Sequence, residues 1–307
     1  MQPAWKKELQ CYLDQHVAGD YLRDEPLSLH TWYRIGGPAD FFVYPRSVEE
    51  LVTLSHYCKT HEIQTDMLGE GANVLVSDAG YRGVIVSLTK HLHRILRDDE
   101  HHVTAEAGVM LRDLVMFCEK HHLGGMEFLS GIPGTVGGAL MMNAGTYRGE
   151  IGDRVKRVSL FDQYGEQITM EKSHIQFNYR SVPELHDHLL LGCQLTLEHE
   201  QASILKARRI ALLKERAAKQ PLEYPSCGSV FKRPPGNYVG KMVEDLGLKG
   251  LRCGDAMISQ KHGGFILNLG KAKASHVMSL IEKIKDEVSK HYYVQLEPEV
   301  KFLGFEQ

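Results

Sequence analysis

Two glycine-rich segments constrain the fold of this chain more than any other feature of its sequence. Residues 68–76 read Leu-Gly-Glu-Gly-Ala-Asn-Val-Leu-Val, and residues 130–139 read Ser-Gly-Ile-Pro-Gly-Thr-Val-Gly-Gly-Ala. Neither is a G-x-G-x-x-G fingerprint, because Val74 stands in place of the third glycine, and neither is a P-loop. Small residues let backbone N–H groups close on an oxyanion, so the pair predicts a diphosphate site built from main-chain amides. The apolar run after Pro133 and Gly134 predicts a helix whose N-terminus faces the same anion.

Composition places the chain among ordinary globular proteins and excludes several function classes. It has 307 residues, of which 43% are hydrophobic and 24% charged, enough for about two domains. The net charge of −3 gives no field that would recruit nucleic acid or an anionic membrane. The six cysteines lack a C-x-x-C pair, which favours reduced thiols and a cytoplasmic protein. No apolar run is long enough to span a membrane, and the 17 histidines lack metal-binding spacing, so we expect no metal.

The periodicity of apolar residues predicts an α+β chain without strict βαβ alternation. Helices are expected at residues 4–17, 47–58, 111–122, 201–219 and 277–288. Strands are expected near 39–44, 65–68, 83–88, 102–107, 155–162, 166–170, 189–197 and 300–303. Ser47 and Glu50 form a capping box at the start of the second helix. The Pro- and Gly-rich residues 220–236 predict an ordered loop followed by a short strand.

Six motifs, in chain order, resemble one known family. They are T-x-Y-R-I-G-G-x-A at 31–39, L-G-x-G-x-N-V-L-V at 68–76, S-G-I-P-G-x-V-G-G at 130–138, F-N-Y-R at 177–180, Y-P-S-C-G-S-V-F-K at 224–232 and E-P-E-V at 297–300. Together they resemble the FAD-binding fold of the vanillyl-alcohol-oxidase type, and more closely the UDP-N-acetylenolpyruvoylglucosamine reductases of peptidoglycan precursor synthesis. The short route from Tyr179 to the next strand is similar to the type II form. One departure is that Ser181 follows Arg180 directly, whereas the family usually has one residue between them.

The resemblance implies a domain order. Residues 1–30 would form an N-terminal helix and lead-in. Residues 31–199 would form a two-lobed FAD-binding domain, with lobes at about 31–90 and 91–199, and residues 200–307 would form an α/β substrate-binding domain. The composition changes near residue 200, where the helix over 201–219 carries six basic residues against one acid, Glu215. We interpret that helix as mainly a solvated face.

The activity implied by the resemblance is reduction of the enolpyruvyl group to give UDP-N-acetylmuramate. NADPH would reduce a non-covalent FAD, flavin N5 would deliver hydride to C3 of the substrate, and a proton would then reach C2. Arg180 would hold the carboxylate as a permanent cation, and Ser229 would donate the proton. Glu299, chosen over Glu297 because the family element resembles Glu-Val, would stabilise the enolate form together with Arg180.

The resemblance also implies binding residues on both parts of the chain. The FAD-contacting positions would be Tyr33, Arg34, Leu68, Gly69, Glu70, Gly71, Ala72, Asn73, Val74, Leu75, Gly108, Ser130, Gly131, Ile132, Pro133, Gly134, Thr135, Gly137, Gly138, Ala139, Asn143, Ala144 and Gly145. Tyr179, Lys219, Lys249 and His262 would contact the UDP-sugar substrate, with the two lysines near phosphate groups. We expect NADPH and the UDP-sugar as small-molecule partners, no nucleic acid or membrane, and a monomer.

Two alternatives remain at this point. An FAD-dependent alcohol or lactone oxidase of the same fold often tethers its flavin through His or Cys, so a flavin released by acid denaturation would argue against it. A nucleotide- or RNA-binding module could use the basic helix at 201–219. The net charge and the absence of interleaved aromatic residues on that helix disfavour this reading. A flavin absorbance spectrum would distinguish them.

Overall fold

The computed structural model describes residues 4–162 and 165–305, so residues 1–3, 163–164 and 306–307 lie outside the described part. Backbone proximity divides the chain into two compact units. The first comprises the residues up to Arg23, Phe41–Glu70 and Gly83–Glu215, and the second comprises Asp24–Asp40, Gly71–Arg82 and the residues from Arg216 onward. These borders differ from the expected ranges 31–199 and 200–307, because two short stretches before residue 83 fold with the C-terminal part.

The secondary structure of the described residues consists of helices and mostly short strands. The helices are α1 Ala4–His16, α2 Val48–Thr60, α3 Leu111–Lys120, α4 Val136–Met141, α5 Ile151–Arg154, α6 Ala202–Lys219, α7 Val239–Asp245 and α8 Ala274–Tyr292. The strands are β1 Asp20–Pro26, β2 Pro38–Tyr44, β3 Thr65–Met67, β4 Val74–Val76, β5 Tyr81–Val86, β6 Ile95–Arg97, β7 His102–Glu106, β8 Leu123–Gly124, β9 Gly145–Thr146, β10 Gly149–Glu150, β11 Val155–Phe161, β12 Gln167–Glu171, β13 Leu189–Thr196, β14 Glu198–His199, β15 Arg252–Cys253, β16 Ala256–Ile258, β17 Ile266–Asn268 and β18 Lys301–Leu303.

The first unit is built on an antiparallel five-stranded sheet with the order β12-β11-β13-β7-β6. A four-stranded sheet has the order β1-β2-β5-β3, with β3 parallel to β5. One apolar core joins these strands to the helices, and Leu54 of α2 and Leu114 of α3 are fully buried in it. Alternation along the strands and the i, i+3, i+4 spacing on the helices therefore bury one face of each element.

The start of α2 shows how local sequence fixes an element. Ser47 Oγ accepts a hydrogen bond from the backbone N–H of Glu50 at 3.1 Å, as the capping box predicts. The Glu50 carboxylate does not return to Ser47, however. It accepts from the backbone N–H groups of Arg46 at 2.9 Å and Ala18 at 3.2 Å. The cap therefore also ties α2 to the chain that follows α1.

The second unit is built around α8, whose buried face includes Val277, Ile281 and Ile284. β15, β16 and β17 form an antiparallel sheet. β4 pairs in parallel with β18, with Val74 opposite Lys301. The Asp78 carboxylate accepts from the first backbone N–H groups of α8, those of Ala274 at 2.7 Å and Ser275 at 3.0 Å. The residues after the first glycine-rich loop thus belong to the same core as the end of the chain.

Most predicted elements are confirmed to within a few residues, and the α+β class is confirmed. The short strand expected after the 220–236 loop is wrong, because α7 follows there. Its buried residues Val239, Met242 and Val243 have the spacing of a helix rather than of a strand. β1 was not predicted, since its sequence Asp-Tyr-Leu-Arg-Asp-Glu-Pro is mostly polar.

Removal of the Asp78 cap gives a pH-dependent stability prediction. Partial burial acts to raise the pKa of Asp78, but hydrogen bonds from the N–H groups of Ser275 and Ala274 lower it below the ordinary 3.8. The pKa of Asp78 is lower in the folded protein than in the unfolded chain. The charged carboxylate therefore stabilises the fold fully above the ordinary value of 3.8, and this contribution is lost as the pH falls through the folded pKa. We expect Asp78→Ala to cost about 1 kcal/mol of unfolding free energy at pH 7. Urea denaturation should show the difference from wild type shrinking below pH 3.8; a difference independent of pH would contradict the capping role.

Candidate functional site

The first glycine-rich loop begins where β3 ends in the first unit. Gly69 lies against the Thr135 side chain, since a Cβ built on Gly69 would be 2.5 Å from Thr135 Oγ1. The Glu70 carboxylate accepts from the backbone N–H of Gly134 at 2.5 Å and from Arg112 at 3.0 Å. The Glu70 side chain therefore joins the first loop to the second.

The second loop does not present the row of available amides that its glycines predict. The N–H of Val136 donates to the Val109 carbonyl and that of Gly137 to the Ala107 carbonyl, both at 2.8 Å. The N–H of Gly138 donates to the Thr135 side chain at 3.2 Å. The expected helix is α4, but its first amides are bonded to protein, so the expectation that its N-terminus holds the anion is not supported.

Other groups near these loops do remain available for a ligand. Within the part of the chain that the structure describes, the backbone N–H groups of Gly69, Glu70 and Gly131 donate no hydrogen bond. The Ser130 hydroxyl is buried and likewise finds no partner among the described residues. Because a buried hydroxyl without a partner is costly, Ser130 indicates that a polar group of a ligand approaches this loop.

A cavity of about 560 Å³ lies in the first unit beside the same loops. The predicted residues Leu68, Gly69, Gly108, Thr135, Gly137 and Gly138 line it. Its remaining polar lining, which sequence reasoning missed, includes Ser55, His56, Lys59, Asp66, Thr89, Asp162, His186, Asp187 and His188. No motif marks those residues, because they come from separate places in the chain: α2, β3, the ends of β5 and β11, and the segment before β13. Only the fold brings them to one cavity.

Arg180 lies at the tip of a tight hairpin in the first unit. Asn178 and Ser181 exchange backbone hydrogen bonds of 2.9 and 3.2 Å, which leaves a two-residue turn with Arg180 at a left-handed φ of 58°. The guanidinium lies 5.3 Å from the Tyr179 ring centroid and donates to the Gly145 carbonyl at 3.3 Å. Ser181, directly after Arg180, therefore closes the turn through its backbone.

Ser229 and Glu299 are brought onto neighbouring segments of the second unit. The backbone of Ser229 bridges Phe265, and the N–H of Glu299 donates to the Val230 carbonyl at 2.7 Å. The Ser229 side chain is exposed and Glu299 is half-buried. Glu297, the alternative acid, forms an ion pair with Lys232. Glu299 stays the predicted catalytic carboxyl group.

Several predicted FAD contacts of the second unit have side chains that are already packed or hydrogen-bonded within the protein. Tyr33 is fully buried, its hydroxyl donates to the Ile266 carbonyl at 2.9 Å, and burial raises its pKa well above the ordinary value. Leu75 is also fully buried in the core around α8. The Asn73 side chain donates to the Glu299 carbonyl at 3.0 Å. The predicted FAD contacts of four further residues stay predictions. Of these, Arg34 is exposed, Ala72 and Val74 are partly exposed, and Gly71 is buried.

The predicted substrate contacts differ in their surroundings. Lys249 forms an ion pair with Glu244 at 2.9 Å. Burial lowers the pKa of His262, whose Nδ1 accepts from the N–H of Gly264 at 3.1 Å, so its ring stays neutral at neutral pH. Lys219 is exposed at the end of α6.

The solvated-face interpretation of α6 is only partly right. Arg208 binds Glu127 at 3.2 Å and Glu200 at 3.1 Å, while Arg209 forms a largely buried pair with Glu119 at 2.6 Å. Burial lowers the pKa of Arg216. Arg208 and Arg209 thus tie the helix to the first unit, while Lys206, Lys214, Lys219 and the Arg208 side chain itself remain exposed.

Comparison with known proteins decides between the alternatives. Two family models match the chain, one described as the C-terminal domain of UDP-N-acetylenolpyruvoylglucosamine reductase over residues 220–303, and one as an FAD binding domain over residues 39–171. A reductase of this name from Listeria welshimeri is 42% identical over 282 residues, 92% of this chain and 94% of that protein. The chain belongs to the UDP-N-acetylenolpyruvoylglucosamine reductase family. The reductase from Geobacillus thermodenitrificans is 42% identical over 287 residues, 93% of each chain.

A solved structure supports the same assignment. The crystal structure of UDP-N-acetylenolpyruvylglucosamine reductase from Thermus caldophilus has a TM-score of 0.77 and 31% identity, covering 93% of this chain and 98% of that one. The expected combination of an FAD-binding domain with the reductase C-terminal domain is therefore confirmed. The available amides, the buried Ser130 hydroxyl and the cavity fit an FAD.

Residues 4–162 and 165–305 show neither a membrane-spanning helix nor a metal-binding group. None of the helices described is both long and apolar enough to cross a membrane. The described side chains include no group of three or more His, Cys, Asp or Glu able to hold a metal ion.

Gly138 offers a clean test of where the cofactor binds. A Cβ at this position would meet only Thr135 Oγ1, at 3.5 Å, so a larger side chain projects into open space beside the cavity. We expect Gly138→Val to fold normally and to lose at least ~10-fold in FAD affinity. A valine side chain would occupy space into which FAD must come close to the backbone of Gly138. Gly138→Ala should lie between wild type and Gly138→Val. The measurement is flavin absorbance per protein, with circular dichroism to confirm folding.

Gly134→Val is a poorer probe of the same site. Gly134 has a φ of 137°, so any side chain there is strained before it meets a ligand. Wild-type flavin content in a folded Gly138→Val protein would show that FAD does not lie beside Gly138.

Proposed function

We propose that this chain reduces UDP-N-acetylenolpyruvoylglucosamine to UDP-N-acetylmuramate, with Arg180, Ser229 and Glu299 as its catalytic residues. Membership of the reductase family across both domains carries the proposal. When bound, FAD supplies the hydride for the enolpyruvyl group after NADPH has reduced it. The protein must then stabilise negative charge on the substrate and deliver one proton.

Arg180 is suited to holding the substrate carboxylate. A guanidinium is permanently charged and can form two parallel hydrogen bonds with a carboxylate. Its left-handed turn, the Tyr179 ring and the Gly145 carbonyl fix the direction of the side chain. Such a fixed cation stabilises the charge that builds up toward the carboxylate as the hydride arrives.

Ser229 is suited to donating the proton to the substrate carbon. Gly228 precedes it at a φ of 79°, and the backbone bridge to Phe265 holds the residue in place while its hydroxyl stays accessible. The carbon of an enolate is basic enough to take a proton from a hydroxyl held at the correct distance. Glu299 is suited to stabilising the enolate form. Backbone hydrogen bonds to Val230 and from the Asn73 side chain hold it, so its carboxyl group lies on the segment beside Ser229.

The FAD is proposed to bind non-covalently in the first unit. The amides of Gly69, Glu70 and Gly131 would hold its diphosphate, and Ser130 and the cavity would receive adjoining parts. Burial raises the pKa of Cys118, Cys193 and Cys227 to about 12, so these thiols are not nucleophiles that could tether a flavin.

The proposal also includes a cytoplasmic location and a monomeric state. All six cysteines are free thiols, as a reducing compartment favours.

Ser229→Ala separates the two half-reactions. Flavin reduction by NADPH involves no enolate, so its rate should stay within about two-fold of wild type. Reoxidation by the enolpyruvyl substrate should slow by ~10²–10⁴, the usual contribution of a positioned general acid. Ser229→Cys should recover part of the loss, because a thiol also donates a proton. Stopped-flow flavin absorbance measures both steps.

Ser226→Ala is the matched control, since Ser226 is in the same loop and its hydroxyl accepts only a weak 3.5 Å bond from Gly228. Equal slowing of both half-reactions by Ser229→Ala would mean a structural role for Ser229. No slowing of either would move the proton donor to another residue.

Lys219→Ala and Lys249→Ala test the proposed phosphate contacts. A phosphate remote from the reacting carbon is bound equally in the ground and transition states, so KM should rise while kcat changes little. We expect a ~10- to 100-fold rise for Lys219→Ala, the worth of a charged hydrogen bond, and a smaller rise for Lys249→Ala because Glu244 already neutralises it. Lys283→Ala, which breaks a surface pair with Glu287, is the control. Unchanged KM with a collapsed kcat would remove the two lysines from the phosphate site.

A further inference from the structure

Asn143 follows the second glycine-rich segment and was expected to contact FAD, yet the protein itself satisfies its side chain. The residue is fully buried. Its Nδ2 donates to Glu150 Oε2 at 2.5 Å and to the Asn178 carbonyl at 3.1 Å, while Oδ1 accepts from the Gly152 N–H at 3.1 Å. Both amide protons and the carbonyl oxygen are thus used within the first unit. No polar hydrogen of this side chain is left for the flavin contact that the sequence suggested.

We propose that Asn143 is a positioning residue that aims Arg180, acting through the hairpin 177–181. The proposal rests on the role of Arg180 given above. Asn143 holds the carbonyl of Asn178, the residue whose backbone closes the turn with Ser181. A shift of that carbonyl would turn the whole two-residue tip, and with it the guanidinium.

Two further contacts connect the same segments. The Gly145 carbonyl accepts from Arg180 at 3.3 Å. Gly152 lies against the Phe177 ring so closely that a Cβ there would be 2.5 Å from Phe177 Cγ. The segment 143–152 therefore contacts the hairpin at three residues, Phe177, Asn178 and Arg180. Asn143 supplies the hydrogen bonds that hold this segment to the hairpin.

The residue type at position 143 follows from two requirements. The backbone there has a φ of 41°, a left-handed conformation that asparagine tolerates better than most residues. The side chain must also donate two hydrogen bonds and accept one within a short reach, which only a primary amide can do. Aspartate would keep the bond from Gly152 but would lose both donors and face the Glu150 carboxylate.

Asn143→Gly is the direct test, because glycine accepts the left-handed backbone and removes only the side chain. In the FAD-loaded protein we expect the amides of Asn178 and Ser181 to exchange with deuterium at least ~10-fold faster, as local opening becomes easier. Reoxidation by the enolpyruvyl substrate should slow ~10- to 100-fold, since small misplacement of a catalytic group has effects of this size. Flavin content and reduction by NADPH should stay within about two-fold.

A double variant distinguishes positioning from general destabilisation. If Asn143 acts through Arg180, then adding Asn143→Gly to Arg180→Ala should slow reoxidation no further. Arg209→Met, which breaks the Arg209–Glu119 pair in the same unit, is the stability control and should alter neither the hairpin exchange nor the half-reactions. Asn143→Asp should show the same pattern as Asn143→Gly, and it carries the test if the glycine variant does not fold.

The outcomes also separate this proposal from the proposed function. Unchanged exchange of the hairpin amides in Asn143→Gly would overturn the positioning role whatever Arg180 does. Multiplicative slowing in the double variant would overturn it as well, because it would show an effect independent of Arg180. Faster hairpin exchange together with an Arg180→Ala protein that reoxidises normally would instead count against the catalytic role of Arg180.

Discussion

The arrangement of the glycine-rich loops depends on the hydrogen bond between the Glu70 carboxylate and the backbone of Gly134. The carboxylate accepts from the N–H of Gly134 in the second loop, and Arg112 balances its charge. An acidic side chain beside a diphosphate site would repel its ligand if it were unpaired, so this neutralisation matters for binding as well as for folding. With Glu70 occupied in this way, its own backbone N–H and that of Gly69 are left as donors for an anion.

Asparagine side chains perform a similar task in three irregular segments of the backbone. Asn73 holds the carbonyl of Glu299 and Asn143 holds that of Asn178. Asn268, in the second unit, holds the carbonyl of Tyr33 at 2.9 Å. Irregular loops need such bonds because their buried carbonyls have no strand or helix partner. The segments that carry the proposed catalytic residues Arg180 and Glu299 are thereby fixed through their main chain.

The sequence predicted the family, the fold class and most element positions, because periodicity and capping are local properties. Its motifs also gave Arg180, Ser229 and the loop glycines as candidate site residues, and these stay predictions. It could not predict that the side chains of the motif residues Tyr33 and Asn143 are hydrogen-bonded within the protein. Such bonds depend on which distant atom each polar group meets. The cavity lining from α2 and residues 186–188 carries no motif for the same reason.

The parallel pairing of β4 with β18 has a consequence for folding during synthesis. Val74 pairs with Lys301, so the contact joins residues more than two hundred positions apart. Residues 74–76 therefore leave the ribosome long before their partner strand exists, and such non-local pairing makes folding slow. The core around α8, which contains Leu75, cannot close until residue 303 has been made. A chaperone that shields this short apolar strand would have most effect during that interval.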